Sequence, residues 1–323
     1  MYDLTPAAKL SMTLRFLAGG VLHDIHRDHG CSFSCARKVI WKTIAAILEN
    51  EDIGSFDFDP RDPDYLDQKS DLFRSRRLND DVLAPHVVGA VDGLAIRISN
   101  PVGHVDNPVD YFSRKGFFAL NCQGLCDVNR RFLLFTCNSP GSSHDSVAFS
   151  LSQHYQDIQQ GLVGTDSTKP LFIVGDNAYS ISLGLLTPFS RRRNGLSIQQ
   201  DAFNYYLSSC RAVIECAFGM LIQRWGIFWR RLNLSPEAAS RVIICCAKLH
   251  NFILDFEGPI GADRIFESGN EYQNHLHQTT DHPEPLGPSS FVAFAGAANG
   301  SCPIGRTRNG TSCTLLTISE ITK

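Results

Sequence analysis

The sequence lacks long apolar runs, a strong net charge and a secretory signal. No apolar stretch approaches the roughly 18 residues that a membrane-spanning helix needs, and the opening Met-Tyr-Asp-Leu-Thr-Pro is not a signal peptide. The formal charge of -3 and the pI of about 6.4 exclude a protein that coats nucleic acid through net charge alone. We therefore expect a soluble intracellular protein, cytosolic or nuclear, whose nucleic-acid contacts come from local basic patches.

Paired cysteine spacing is also missing. The 11 cysteines are odd in number and lie mostly inside apolar segments, which is typical of free thiols in a reducing compartment. Cys31 with Cys35, and Cys122 with Cys126, do not have the ligand spacing of a zinc module. A disulfide framework and structural zinc are therefore both disfavoured, and no internal repeat is found.

The chain does contain a helical start, an acidic stretch and a strand-rich centre. Its 323 residues and 43% apolar content suit a globular protein of about two domains. We predict a helical, helix-turn-helix-like region at 1–50, an acidic linker at 51–84 and an α/β domain at 85–256. Residues 257–323, rich in Gly, Pro, Ser and His, are expected to be mostly disordered.

The N-terminal region predicts two helices joined by a short connection. Apolar residues between Ala36 and Leu48 recur at the spacing of one helical face, and Ser32 or Ser34 can cap that helix. An upstream helix is closed by the Gly-Gly pair at 19–20. This arrangement is compatible with a small DNA-reading unit and equally with a helical hairpin that packs on the next domain.

The centre of the chain predicts a mixed sheet and two long helices. A hairpin is expected around the turn Asp127-Val-Asn-Arg. The predicted elements are, in order, a strand at 87–98, hairpin strands at 117–126 and 132–137, a buried strand at 171–174, and helices at 201–228 and 238–252.

Three acidic residues end or interrupt these apolar segments. Asp92 lies in the first strand, Asp176 follows the buried strand, and Glu215 lies on or beside the apolar stripe of the first long helix. A carboxylate at the rim of a buried region is costly unless it is paired or holds a cation. No His or Cys accompanies the three acids at ligand spacing, so the oxygen ligands favour Mg²⁺ or Mn²⁺. We predict two divalent ions about 3.5–4 Å apart, a site suited to phosphodiester displacement.

Each of these acids has an ordinary alternative role. Asp92 could be a turn residue before Gly93, and Asp176 could be an Asx cap at a strand end. Glu215 could form an ion pair with Arg211, one helical turn earlier. The three ordinary roles are individually reasonable but do not explain why the acids share the same kind of setting.

A fourth acid and a group of basic residues extend the candidate site. Asp145 is a further candidate metal ligand; His144 and Ser146 beside it cannot converge with it as a serine-hydrolase triad, and no G-x-S-x-G elbow is present. Basic residues outnumber acidic ones between 185 and 250, which fits phosphate contacts. The residues predicted to contact nucleic acid are Lys115, Arg191, Arg192 and Arg193.

Ten short blocks occur in one order between about residue 10 and residue 255. They include Val-Asp-Gly, Pro-Gly-Ser-Ser-His-Asp-Ser, Gly-Asp-Asn-Ala-Tyr and Ile-Glu-Cys-Ala-Phe-Gly around the four acids, and Leu-His-Asn-Phe near the end. The ten blocks lie at 91–93, 111–117, 140–146, 175–179, 185–189, 203–204, 207–211, 214–219, 224–225 and 249–252. Together they resemble the PIF/Harbinger-type transposase nuclease, a DDE superfamily endonuclease.

The resemblance implies an RNase H-like α/β fold and a divalent-metal triad that falls on Asp92, Asp176 and Glu215, with Asp145 as a further ligand. Such proteins cut DNA phosphodiester bonds at transposon ends, rejoin the strands, and work in the nucleus with a separate Myb-like DNA-binding partner protein. The expected partners are thus DNA and a Myb-like protein, with a homo-oligomer allowed and no membrane. The alternative is a domesticated, non-cleaving DNA-binding or chromatin adaptor that retains the nuclease fold.

Overall fold

The computed structural model describes residues 4–76, 83–152, 155–158, 170–182, 184–190 and 195–277, and of 258–277 only the helical backbone. The chain divides into two compact units, Met1–His275 and Leu276–Lys323. The helices and strands belong to the first unit, apart from the last two residues of the final helix. No described helix has the length and apolar character required to span a membrane.

Four helices come first in the described part of the chain; three strands, one helix, two strands and two long helices follow. The helices are α1 (Pro6–Leu17), α2 (Leu22–Asp28), α3 (Phe33–Glu49), α4 (Pro63–Arg76), α5 (Asp145–Ser150), α6 (Ile198–Arg224) and α7 (Pro236–His277). The strands are β1 (Val87–Arg97), β2 (Ala119–Cys126), β3 (Phe132–Pro140), β4 (Phe172–Val174) and β5 (Leu185–Leu186). Short 3₁₀ turns lie at Ala84–His86, Pro108–Tyr111 and Gly226–Trp229.

The five strands form one mixed sheet in the order β3-β2-β1-β4-β5. β2 pairs antiparallel with both β1 and β3, whereas β4 pairs parallel with both β1 and β5. The predicted hairpin is confirmed: Arg130 takes a left-handed conformation (φ 67°) in its turn, and Asp127 Oδ1 accepts the backbone N–H of Asn129 and Arg131. This mixed sheet flanked by helices is α/β and consistent with the predicted RNase H-like fold.

The N-terminal helices pack into the same apolar core as the sheet. Ser32 caps α3, as predicted, by accepting the Cys35 N–H, and α2 occupies the predicted connection. Fully buried side chains such as Met12 and Ile44 share one cluster with Phe132 of β3. This packing is that of a helical region docked on the sheet domain, and DNA reading by it stays a prediction.

The segment predicted as an acidic linker contains helix α4. The linker prediction is therefore corrected for Pro63–Arg76. The helix starts where Asp62 Oδ1 accepts the N–H of Asp64 and Tyr65, a cap made by an acid that composition alone reads as solvated. Leu66 and Phe73, seven residues apart, are fully buried. The segment is therefore an amphipathic helix in which polar and charged residues outnumber apolar ones. Its few apolar residues have the spacing that places them on one face of the helix.

The two long helices begin and end differently from their predicted bounds. α6 starts with a capping box in which Ser197 and Gln200 exchange hydrogen bonds, and its predicted apolar stripe is buried. The backbone of α7 continues to His277, so the tail predicted from 257 begins as helix. Residues 278–323 lie outside the described part of the chain.

A polar clamp, formed by Lys248, His250 and Asn251 of α7, ties this helix to the rest of the fold. Lys248 Nζ donates to the carbonyls of Leu48 and Asn50 at the end of α3. Asn251 exchanges two hydrogen bonds with the backbone of Phe132 and donates a third to the Ser55 carbonyl. His250 contacts the Arg130 carbonyl through Nε2. The Leu-His-Asn-Phe block therefore has a structural role.

Candidate active site

Strand register brings Asp92 and Asp176 together. Ala90 of β1 lies beside Val174 of the parallel strand β4. Asp92 lies two residues beyond Ala90 in β1, and Asp176 lies two residues beyond Val174, where β4 ends. The two carboxylates influence each other, because the charge of Asp176 raises the pKa of Asp92. A metal site shared by these two acids stays a prediction.

A glycine lets the long helix approach Asp92. Gly124 of β2 is the residue directly opposite Asp92 in the antiparallel pair. A Cβ placed at Gly124 would lie 2.8 Å from the Phe218 ring of α6, so only glycine allows this close packing. Glu215 lies three residues before Phe218, a spacing that puts both on one side of the helix. Close packing at Gly124 therefore carries Glu215 toward Asp92.

Arg211 joins the acid of the strand to the acid of the helix. Its Nη1 lies 2.5 Å from Glu215 Oε1 and 3.5 Å from Asp92 Oδ2. The Arg211 and Asp92 side chains are each 22% exposed, and that of Glu215 is 25% exposed. The Arg211–Glu215 pair expected as the ordinary alternative does form. It is a three-residue cluster at the sheet, however, and not a surface pair.

The environment of Asp92 disfavours its negative charge. Burial raises the pKa of Asp92 to about 7, the Gly93 N–H lowers it, and Asp176 and Glu215 raise it against the opposing effect of Arg211. Asp92 also lies within β1, so the turn alternative is wrong. One arginine does not offset the carboxylates that surround this strand residue, and the site can accept further positive charge.

Asp145 contacts a second group of polar residues. It opens α5, and its Oδ1 accepts the side-chain amides of Asn121 and Gln123 at 2.9 and 3.1 Å. Arg114 approaches Oδ2 at 3.4 Å. A Cβ at Gly93 would collide with Asp145 Oδ1, so Asp145 lies against the side of β1 opposite the Asp92 side chain. Its Oδ1 is fully used by amides, whereas Oδ2 retains capacity.

Tyr179 links the two groups. Its hydroxyl donates to Gln123 Oε1 at 2.6 Å, and its ring is buried. Burial raises the pKa of Tyr179 strongly, with further contributions from Asp92, Asp145 and Asp176. The phenol is therefore a neutral donor among three carboxylates.

Sequence reasoning did not single out Asn121, Gln123 or Tyr179. The available signal was two polar side chains at alternate positions of an otherwise apolar strand, because a buried amide needs a partner.

Asp176 and Lys115 are the other predicted site residues that the structure describes. Asp176 Oδ1 accepts the Ala178 N–H at 2.8 Å, so the predicted Asx alternative is present alongside the approach to Asp92. Lys115 is exposed in the connection before β2. Arg191, Arg192 and Arg193 lie outside the described residues. Within the described ranges, no three His, Cys, Asp or Glu side chains are grouped closely enough to hold a metal ion.

Comparison with known families matches residues 91–251 to the DDE superfamily endonucleases. That segment contains all four acids. This chain has a DDE superfamily endonuclease domain. The predicted family is confirmed at the level of this domain.

Two kinds of curated relatives resemble the chain. "Putative nuclease HARBI1" of Bos taurus and of Homo sapiens are each 28% identical over 174 residues, which cover 53% of this chain and 47% of theirs. "Protein ALP1-like" of Arabidopsis thaliana is 27% identical over 263 residues, covering 77% of this chain and 61% of its own. The chain thus spans about half the length of the HARBI1 relatives. No solved structure matches it significantly.

The donors of the endonuclease domain fit the metal chemistry of its family. DDE superfamily endonucleases generally use divalent metals. Asp92, Asp176 and Glu215 offer carboxylate oxygens, the donors that Mg²⁺ and Mn²⁺ prefer. Burial is the main cause of the raised pKa of Asp92, and the charges of Asp176 and Glu215 add to it against Arg211. The donor set and its electrostatics are suited to a hard cation.

Proposed function

We propose that this protein is a metal-dependent DNA endonuclease of the Harbinger type, with Asp92, Asp176 and Glu215 as its catalytic acids. The observation that carries the proposal is that Asp92 is joined to Glu215 through Arg211 and senses the charge of Asp176, within a DDE superfamily endonuclease domain. The site combines buried position, excess negative charge and a partly open rim. That combination suits cleavage of phosphodiester bonds with the help of cations.

The proposed role of each acid follows from its position in the fold. Asp92 of β1 and Asp176, which follows β4, are the residues proposed to hold two Mg²⁺ or Mn²⁺ ions. Glu215 completes the set from α6. Asp145 lies against the opposite side of β1, so its proposed contribution is negative charge near the site. When bound, such ions activate a water or hydroxyl for attack on phosphorus and stabilise the leaving oxygen.

DNA is the proposed substrate, and the phosphate contacts are assigned to the basic residues. Lys115 is exposed, and Arg191, Arg192 and Arg193 precede α6 in sequence. A separate Myb-like protein is proposed to supply sequence recognition, since the whole-chain charge of -3 is modest for a DNA-binding protein acting alone. Strand transfer after cleavage, a nuclear location and a homo-oligomer remain parts of the proposal.

A second candidate function is a domesticated adaptor that binds DNA or chromatin without cutting it. One observation favours it: Arg211 contacts both Asp92 and Glu215, and in the described part of the chain no three potential ligands are gathered for a metal. An adaptor would use the same fold and basic residues but would not need the acids.

A cleavage assay separates the two functions. Purified protein is incubated with Mn²⁺, the Myb-like partner and DNA that carries the terminal repeats of the element. We expect nicking by the wild type, loss of nicking in Asp92→Asn, and full nicking in Asp52→Asn, which removes an exposed acid outside the site. Equal cutting by wild type and Asp92→Asn, or no metal-dependent cutting by either, would reject the nuclease and leave the adaptor.

A further inference from the structure

Arg211 is the only cation among the described side chains whose one nitrogen contacts two of the three proposed catalytic acids. Nη1 lies 2.5 Å from Glu215 Oε1 and 3.5 Å from Asp92 Oδ2. A single guanidinium nitrogen thus occupies the space between the carboxylate of the strand and that of the helix. Both of those oxygens belong to the groups that a divalent ion would use.

We propose that Arg211 is an internal counter-ion that stands between Asp92 and Glu215 in the metal-free protein and must leave when a divalent cation binds there. This inference rests on the proposed function, since it concerns the same acids. Arg211 is not a member of the triad. The proposal gives it a positioning and gating role that requires no contact with DNA.

Electrostatics supports displacement over coexistence. A positive charge and a divalent cation that share two carboxylates at hydrogen-bond distance repel each other strongly, because water screens poorly in a site only about a quarter open. Without any cation, Asp92 and Glu215 would repel each other across the contact between β1 and α6. Arg211 therefore stabilises the metal-free arrangement of the two acids, and it competes with a divalent cation for the same carboxylate oxygens.

The packing gives the arginine room to move. Its side chain and those of both acids are partly exposed, so the guanidinium can turn outward without leaving a buried cavity. Glu215 lies one helical turn after Arg211, and that pair can persist in part while the longer contact to Asp92 breaks. The 3.5 Å contact is the weaker of the two and is the one we expect to open first.

The test is Mn²⁺ binding to the full chain without DNA, measured by calorimetry and by electron paramagnetic resonance of free Mn²⁺. We expect Arg211→Gln to bind Mn²⁺ at least about ten-fold more tightly than the wild type, through removal of the competing charge. Arg211→Lys keeps the charge and should stay close to wild type. The matched control Arg61→Gln breaks a surface ion pair with Asp157 and should not change the affinity.

Thermal unfolding gives a readout that does not depend on the affinity measurement. Metal-free Arg211→Gln should melt below the wild type, and saturating Mn²⁺ should raise its melting temperature by more than it raises that of the wild type. A direct view comes from wild-type protein with labelled arginine: Mg²⁺ should shift the guanidinium resonance that is missing in Arg211→Lys. This last measurement needs no destabilised variant.

The outcomes separate the two proposals. If the wild type binds Mn²⁺, Asp92→Asn does not, and Arg211→Gln binds with equal or weaker affinity, the counter-ion role is overturned and the metal site stands. Equal tightening in Arg211→Gln and Arg211→Lys, or an unchanged guanidinium resonance, also overturns it. If neither wild type nor Arg211→Gln binds Mn²⁺ in any measurement, the proposed metal-dependent function fails and the counter-ion role with it.

Discussion

Two polar clusters in this chain are built in opposite ways. The polar clamp of α7 directs its side chains at backbone: Asn251 makes three hydrogen bonds, and Lys248 binds two carbonyls at a helix end. The acid site instead gathers charges of one sign around Asp92 and leaves them undercompensated. Hydrogen bonds to buried backbone stabilise the fold, whereas like charges held close together leave an interaction available to a ligand. Truncating Asn251 should therefore lower stability, whereas removing the charge of Asp92 should raise it.

The largest effect is expected at the clamp. Asn251→Ala leaves the N–H and C=O of buried Phe132 without their partner and also removes the bond to the Ser55 carbonyl. We expect a loss of about 4 kcal/mol in the free energy of unfolding, measured by urea titration, since each orphaned buried group costs about 1–3 kcal/mol. The control Asn107→Ala removes an exposed bond to Asp110 and should change stability little. A comparable loss in both variants would mean that the hydrogen bonds of Asn251 stabilise the fold no more than an exposed hydrogen bond does.

The next effect is a pH dependence from His250. Burial lowers the pKa of this histidine from 6.5 to about 4, so the unfolded chain binds more protons than the folded one between those values. Its contribution to stability is complete above pH 6.5 and is lost as the pH falls toward 4, by about 3 kcal/mol in total.

His250→Gln tests this contribution. The amide can still donate toward the Arg130 carbonyl, but it does not titrate. The unfolding free energy of the variant should fall less between pH 6.5 and 4 than that of the wild type. His104→Gln, at an exposed histidine, is the control. Parallel pH profiles for wild type and His250→Gln would show that folding does not lower the pKa of His250.

Local signals in the sequence explain why much of the fold was predictable. The β1–β2–β3 succession follows from apolar runs and turn residues, and Ser32 has the residue type and position of a helix cap. α4 was missed because its carboxylates dominate the composition while its apolar positions are few. The triad could be proposed because acids in apolar settings are visible in the local sequence, and the order of the family's sequence blocks supported it.

The contacts within the site were not predictable, for a physical reason. Whether Arg211 reaches Asp92 as well as Glu215 depends on how closely α6 approaches β2, and Gly124 sets that distance through residues far apart in sequence. Asn121 and Gln123 likewise reveal their partner only when α5 packs on β2. Helix spacing alone therefore predicts the ion pair between Arg211 and Glu215 on α6, but it does not predict the contact between Arg211 and Asp92 of β1.

Gly124→Ala tests whether close packing organises the acid site. The added methyl group would lie 2.8 Å from the Phe218 ring, so α6 must move or the ring must tilt. We expect a loss of about 2 kcal/mol in unfolding free energy and a weaker Mn²⁺ affinity, because Glu215 moves with the helix.

Phe218→Leu in the same chain checks the cause. The smaller side chain makes room for the methyl group, so the double variant should lose less stability than the sum of the two single variants. It should also recover part of the Mn²⁺ affinity. Additive losses would mean that the contact between Gly124 and Phe218 does not set the position of α6.

The smallest expected effect, and the one with the opposite sign, comes from Asp92→Asn. The amide keeps the size of the side chain and removes a charge that burial, Asp176 and Glu215 all disfavour, so the metal-free protein should gain about 1 kcal/mol at neutral pH. Asp127→Asn is the matched comparison, because this buried acid has Lys69 at 3.0 Å and two backbone N–H donors and should lose stability when neutralised. Saturating Mn²⁺ should reverse the order of wild type and Asp92→Asn while leaving Asp127→Asn destabilised. If both Asp92→Asn and Asp127→Asn lower the unfolding free energy of the metal-free protein, the charge of Asp92 is as well compensated as that of Asp127. The acid site would then be a second structural cluster, and its charges would not favour the binding of a cation.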